Sequence, residues 1–113
     1  MCSDSALPSV ELLCEQAAWL APARSRLLRR VGIATRQHVL DVASGPGAVT
    51  SELASRCAVG GIVVALDRSR AALAHIASPA PAMSGGETAA RTYPIQADAC
   101  RLPFPDGTFD LAF

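Results

Sequence analysis

Three short stretches carry residue types that can do chemistry, and each follows an apolar run. The first is Ala43-Ser44-Gly45-Pro46-Gly47, just after Asp41. Glycines at 45 and 47 let the backbone approach a ligand closely, and a helix start beyond them offers unpaired N–H groups. Such a turn equally well joins a strand to a helix with no ligand at all. The second is Asp67, roughly twenty residues further on, where an acid can accept hydrogen bonds from both hydroxyls of a ribose. Its competing role is to cap a helix beginning at Ser69. The third is Asp98, in Gln96-Ala97-Asp98-Ala99, followed by Leu102-Pro103-Phe104-Pro105-Asp106-Gly107-Thr108-Phe109-Asp110.

A glycine turn paired with a distant acid points to a nucleoside ligand without choosing between NAD and S-adenosylmethionine. A dinucleotide fingerprint wants Gly-x-Gly-x-x-Gly, and here Thr50 stands at the third position. A pyrophosphate must lie against that helix start, whereas S-adenosylmethionine has no phosphate and needs only room for its methionine arm. The Asp98 stretch has no purpose in a NAD domain. Both observations disfavour a fragment of a dinucleotide-dependent oxidoreductase.

The elements that must position these residues alternate along the chain. Val39-Leu40-Asp41-Val42-Ala43 is a short apolar strand that ends in the turn, and Val49, Leu53 and Cys57 recur at helical spacing. Gly60-Gly61 turns the chain into Ile62-Val63-Val64-Ala65-Leu66, an apolar run suited to a strand buried on both faces. A short helix is expected over 69–77, a third strand over about 93–97 and a fourth over 109–113. Strand, helix, strand, helix is the mark of parallel βαβ units. Pro94 lacks a ladder donor and places the third strand at an edge. Residues 78–92, rich in proline, glycine and alanine, read as a mobile loop.

Ahead of the first strand, Val10, Leu13, Ala17 and Leu20 predict an amphipathic helix over 9–21 with Ser9 as N-cap. Pro22 is expected to break it and to open a second helix closed by Gly32. Arginines 24, 26, 29 and 30 crowd that second helix and read first as a solvated face, then as a contact to an acidic substrate group. Residues 1–36 thus form an N-terminal helical segment, and 37–113 a partial ligand-binding domain. Trp19 reads as a packing residue.

Composition narrows the class. Of 113 residues, 50% are hydrophobic and 18% charged, the reverse of a disordered tail. Ten basic and ten acidic residues cancel, so no long-range attraction to nucleic acid or an anionic membrane is expected. Cys2, Cys14, Cys57 and Cys100 show neither a C-x-x-C pair nor metal-ligand spacing, and read as thiols in a reducing compartment. No run approaches the roughly 20 apolar residues that span a bilayer. Acidic residues Asp4, Glu11 and Glu15 precede the first arginine, unlike a signal or transit peptide. Cytoplasmic location is therefore expected.

In order and spacing, Val39 to Gly47, Val64-Ala65-Leu66-Asp67, Ala97-Asp98-Ala99, Leu102-Pro103-Phe104 and Phe109-Asp110 resemble the successive motifs of class I methyltransferases. They are most similar to the small-molecule group that includes the ubiquinone- and menaquinone-biosynthesis enzymes. The resemblance runs from about residue 31 to residue 113. It implies an α/β fold, a doubly wound Rossmann-like parallel sheet, partial here, with strand order 3-2-1-4 and N-terminal helices. It implies S-adenosyl-L-methionine as cofactor and a small-molecule methyl acceptor. By the same resemblance Asp41 approaches the methionine amino group, and Ala43, Ser44, Gly45 and Gly47 form the turn that lines the methionine moiety. Asp67 takes the ribose hydroxyls, with Arg68 beside the adenine edge. Asp98 accepts from the adenine amine and Ala99 donates from its backbone. Asp110 opens the fourth strand, where the chain of such enzymes turns toward the methyl group.

Departures from the family pattern are Ala43 for a common glycine, Pro46 between the two glycines, the loop 78–92 in place of a longer helix, and an ending where about three more strands would follow. A fourth strand left as an apolar edge invites pairing with another chain. Residues selecting the acceptor are expected beyond residue 113 or in the N-terminal helices. An alternative reading is a catalytically inactive, truncated cofactor-binding or interaction module. No catalytic residue is identified: His38 and His75 read as structural or surface residues, and Ser44 has no histidine–acid pair to activate it.

Overall fold

In a computed structural model of the chain, the described residues are 9–76 and 90–113. Their strands are β1 (His38–Val42), β2 (Ile62–Asp67), β3 (Arg91–Gln96) and β4 (Leu111–Ala112). Among the described residues they form one parallel sheet in the order β3-β2-β1-β4. The expected order 3-2-1-4 and the α/β, Rossmann-like class are both observed. β3 lies at an edge, where the missing N–H of Pro94 costs no ladder bond.

Register decides where the chemistry sits. His38 to Val42 lie beside Ile62 to Leu66, and Ile62 to Asp67 beside Arg91 to Gln96. β1, β2 and β3 therefore end level, and the segments that leave them emerge along one edge of the sheet. Strand order reverses between β1 and β4, so the turn after β1 opens at the switch point where ligands of such sheets bind.

Alternation along the strands builds a core on each face. Val39 and Val63 pack with Leu53, Cys57, Leu28 and Ile33. Leu40, Val64 and Leu66 point the other way, where Phe104 and Phe109 cover them. Those two rings meet edge to face, with centroids 4.9 Å apart at 89°.

α1 runs unbroken from Val10 to Arg30, with Pro22 inside it and Ser9 as N-cap. The expected break at Pro22 does not occur. Proline at that point leaves the Ala18 carbonyl without its helical donor. The Arg24 side chain folds back and its Nη1 donates to the Ala17 carbonyl at 2.9 Å, while its Nε reaches Glu52 Oε2 at 2.7 Å. Together with the burial of Leu28, this ties both halves of α1 to the body of the molecule. Trp19, by contrast, is 74% exposed and packs no core.

α2 spans Thr50–Arg56 and α3 Arg70–Leu73. β3 begins at Arg91, two residues earlier than expected, so the end of the anticipated loop 78–92 is strand; its residues 78–89, like Ala77 of the expected short helix, lie outside the described residues. β4 is shorter than expected, but ladder bonds from Asp110 N to His38 O and from Phe113 N to Leu40 O extend its pairing. No described helix is long and apolar enough to cross a membrane.

Candidate functional site

The site is built on the turn between β1 and α2. Ala43 has φ 56°, Gly45 φ 57° and Gly47 φ 95°. This run of left-handed residues lifts the chain off the end of β1. A tight turn closes it, with Gly47 N donating to Ser44 O at 3.2 Å, and Ser44 N ties it to Leu66 O at the end of β2. Gly47 is required twice. Its φ disfavours any side chain, and a Cβ there would stand 2.8 Å from Ile76 Cγ1. A Cβ on Gly45 would meet open space, so that position is open-faced.

Asp67 joins this turn directly. Its Oδ2 accepts from Gly45 N at 2.9 Å, and its Oδ1 from Ser69 N at 2.8 Å. The cap of α3 is shared: Ser69 Oγ accepts from Ala72 N at 3.2 Å, while Asp67 takes the N–H of Ser69 itself. Each oxygen of Asp67 keeps lone-pair capacity for a further donor. The ribose and capping roles set against each other in the sequence are thus compatible.

Asp41 is 3% exposed and accepts from Thr50 Oγ1 at 2.7 Å. Burial pushes its carboxyl above the usual carboxylate range; the Thr50 bond opposes that shift, and the charge of Asp67 adds to it. Asp98 follows β3 next to the end of β2, where Ala97 N donates to Asp67 O at 3.1 Å and carries the β2–β3 pairing one step past the strand ends. Its Oδ1 accepts from Cys100 N at 2.9 Å, within a turn closed by Arg101 N on Asp98 O. Gln96 Nε2 holds the Arg68 carbonyl at 3.0 Å, and the side chains of Arg68 and Ala99 are exposed along the same edge.

The structure therefore gathers Asp41, Ala43, Ser44, Gly45, Gly47, Asp67, Arg68, Asp98 and Ala99 at the carboxyl ends of three adjacent strands. Asp41, Asp67 and Asp98 form no part of the ion pairs among the described residues, which join Arg24 and Arg56 to Glu52. An unpaired group of carboxylates suits a ligand bearing hydroxyl, amine or cationic groups and repels phosphate. Thr50 and Ile76 also belong to the site, and neither was singled out for it from the sequence.

Asp110 lies elsewhere. Its two oxygens accept from Gln37 N and His38 N, both at 3.0 Å, at the amino ends of β1 and β4. These bonds hold its carboxyl below the usual carboxylate range. It pins β4 to β1 at the end opposite the crevice. His38 and His75 are exposed, as is Cys14, while burial raises the thiol of Cys57. Grooves lie beside the turn and along α1. One, of about 320 Å³, is lined by Gly47, Thr50, Ala54, Ile76 and Thr92. Another, of about 440 Å³, runs along α1 between Leu13, Leu20, Leu27, Val49 and Phe113.

Among solved structures, a protein from Methanococcus maripaludis assigned as an S-adenosyl-L-methionine-dependent methyltransferase is similar, with a TM-score of 0.61 at 23% identity. The match covers 90% of this chain and 46% of that one, so this chain spans about half the length of that protein. At this identity the likeness speaks for the fold. No curated protein matches the chain. Residues 39–113, the larger part of the sequence, match the family described as methyltransferase domain. The chain belongs to the methyltransferase domain family.

Proposed function

We propose that the chain is the cofactor-binding half of an S-adenosylmethionine-dependent methyltransferase that acts on a small-molecule acceptor. The observation that carries this reading is the bond from Gly45 N to Asp67, across 22 residues of sequence, beside a buried Asp41. One open-faced glycine and two carboxylates side by side suit a nucleoside bearing a cationic amino-acid arm. The donor set fits that group. Lone pairs left on Asp67 suit ribose hydroxyls, Asp41 suits the amino group of the methionine arm, and Ala43, Ser44, Gly45 and Gly47 leave backbone alongside it. Asp98 takes the adenine amine, the Ala99 N–H the ring, and Arg68 the adenine edge.

When bound, S-adenosylmethionine supplies a methyl group on a sulfonium that is its own leaving group. The chain's residues bind and orient, and the gain in rate comes from holding the reactants in line with their entropy already removed. No general base is assigned. A small acceptor is supported by the apolar groove along α1, whose volume lies in the range of small-ligand sites. Zero net charge gives a polyanionic acceptor no long-range attraction. The same reading keeps the chain in the cytoplasm and leaves the outer edge of β4 available to a further strand.

Calorimetric titration with S-adenosylhomocysteine tests it, run beside Asp67→Ala with both chains shown to be folded by circular dichroism. Saturable binding that weakens about 10- to 100-fold in the variant is expected, the loss of charged hydrogen bonds worth about 1.5–3 kcal/mol. A folded wild-type chain that takes up none of the ligand refutes the reading.

A further inference from the structure

We infer that Thr50 is a positioning residue of this crevice: its hydroxyl fixes the Asp41 carboxylate in the orientation that receives the amino group of the methionine arm. The inference rests on the placement of that group at Asp41 proposed above. Thr50 is 2% exposed and Asp41 3%, and among the described residues the 2.7 Å bond from Thr50 Oγ1 to Asp41 Oδ2 is the one side-chain hydrogen bond that either makes. A carboxylate can turn about its own side-chain torsions. A single donor on Oδ2 stops that rotation and leaves the lone pairs of Oδ1 free.

The hydroxyl sits directly beneath the turn. Thr50 Oγ1 would be 3.8 Å from a Cβ placed on Gly47. Thr50 is the first residue of α2, so the helix start sets the height of its hydroxyl, and its branched Cβ limits the rotamers it can adopt. This also gives a reason for threonine where a dinucleotide fingerprint carries its third glycine. The third glycine of that fingerprint lets the helix pack closely on the strand but has nothing to hold a carboxylate. At this one position the chain carries instead a donor that aims an acid.

Two further consequences separate aiming from packing. The Thr50 bond is what holds the Asp41 carboxyl down against burial and the nearby Asp67 charge, so removing the hydroxyl moves the titration of Asp41 upward. A ligand ammonium favours the ionised acid. Binding should therefore weaken as pH falls through the Asp41 titration, and that fall should move to higher pH when the hydroxyl is lost.

The test is titration of the full chain with S-adenosylhomocysteine from neutral to mildly acidic pH, for wild type, Thr50→Val and Thr50→Ser. Valine keeps the shape and removes the donor; serine keeps the donor and removes the methyl. The expected result is about tenfold weaker binding in Thr50→Val, with its acid fall displaced upward, and near wild-type binding and pH profile in Thr50→Ser. Two results overturn the inference: Thr50→Val binding like wild type at every pH, or both variants weakening alike with the pH profile unmoved, which would make Thr50 a packing residue. No binding by folded wild type instead removes the placement at Asp41, and the inference with it.

Discussion

Gly47→Ala should cost the chain roughly 2–5 kcal/mol of stability, from two causes that can be measured apart. The first is backbone: φ is 95° at this position, and holding a non-glycine residue in such a region costs about 1–3 kcal/mol. The second is steric. The new Cβ would stand 2.8 Å from Ile76 Cγ1 and 3.4 Å from its Cδ1, so the isoleucine must leave its rotamer or push the turn after α3 outward, at about 1–2 kcal/mol. Only the second cause depends on Ile76. In an Ile76→Ala background the steric part should vanish and the backbone part remain, giving a coupling of about 1–2 kcal/mol in a double-mutant cycle. Urea unfolding followed by circular dichroism reads this as a drop in midpoint at constant slope. Equal costs in the two backgrounds would show that Ile76 does not confine the turn. A total cost below about 0.5 kcal/mol would show that residue 47 does not hold a left-handed backbone in solution, and the crevice geometry would fall with it.

Two further outcomes follow from neighbouring residues. Ala43 has φ 56°, so Ala43→Gly trades about 1 kcal/mol of backbone strain against about 0.4–1 kcal/mol of unfolded-chain entropy, and thermal unfolding should be unchanged or slightly higher. Ala43→Val should lower it, because a β-branched residue fits that region worse. Asp110→Ala should lose about 1 kcal/mol at neutral pH, a modest value because the carboxylate is exposed. The Asp110 carboxyl titrates lower when folded, so its contribution is present above the unfolded value near 3.8 and disappears as pH falls through the lower folded value. The gap between wild type and variant should therefore close in strong acid. Asp41 works with the opposite sign, its folded carboxyl being raised, but it contributes equally to both chains and cancels in that difference.

What could be read in the sequence is what short-range physics writes there. β1 and β2 lie in the interior of the sheet, so Val39-Leu40 and Val63 to Leu66 must be apolar on both faces and stand out as runs. The acids at their ends stand out for the same reason, since a carboxylate is costly inside such a sheet and cheap just past it. Other features depend on neighbours that arrive only with the fold. Pro22 is a helix breaker by local rules, yet α1 continues through it, and Arg24 just beyond reaches back to the Ala17 carbonyl and outward to Glu52, 28 residues away. Thr50 could be seen only as a glycine that was missing, because the turn over 44–47 is what folds its hydroxyl back under Asp41. Asp110 follows a motif that leads toward the ligand edge, but a residue that opens a parallel strand stands at the opposite end from one that closes it. The same rule explains why the crevice assembles at all. In a parallel sheet every strand delivers its last residue to one edge, so three acids far apart in sequence need no contact with one another to meet there. Level strand ends suffice, and the bonds from Gly45 and Ala97 to Asp67 hold the segments leaving β1 and β3 against the end of β2. Changes that alter register between β1 and β2 should for that reason harm ligand binding more than loss of any single acid, since a one-residue slip displaces Asp41 and the whole turn relative to Asp67.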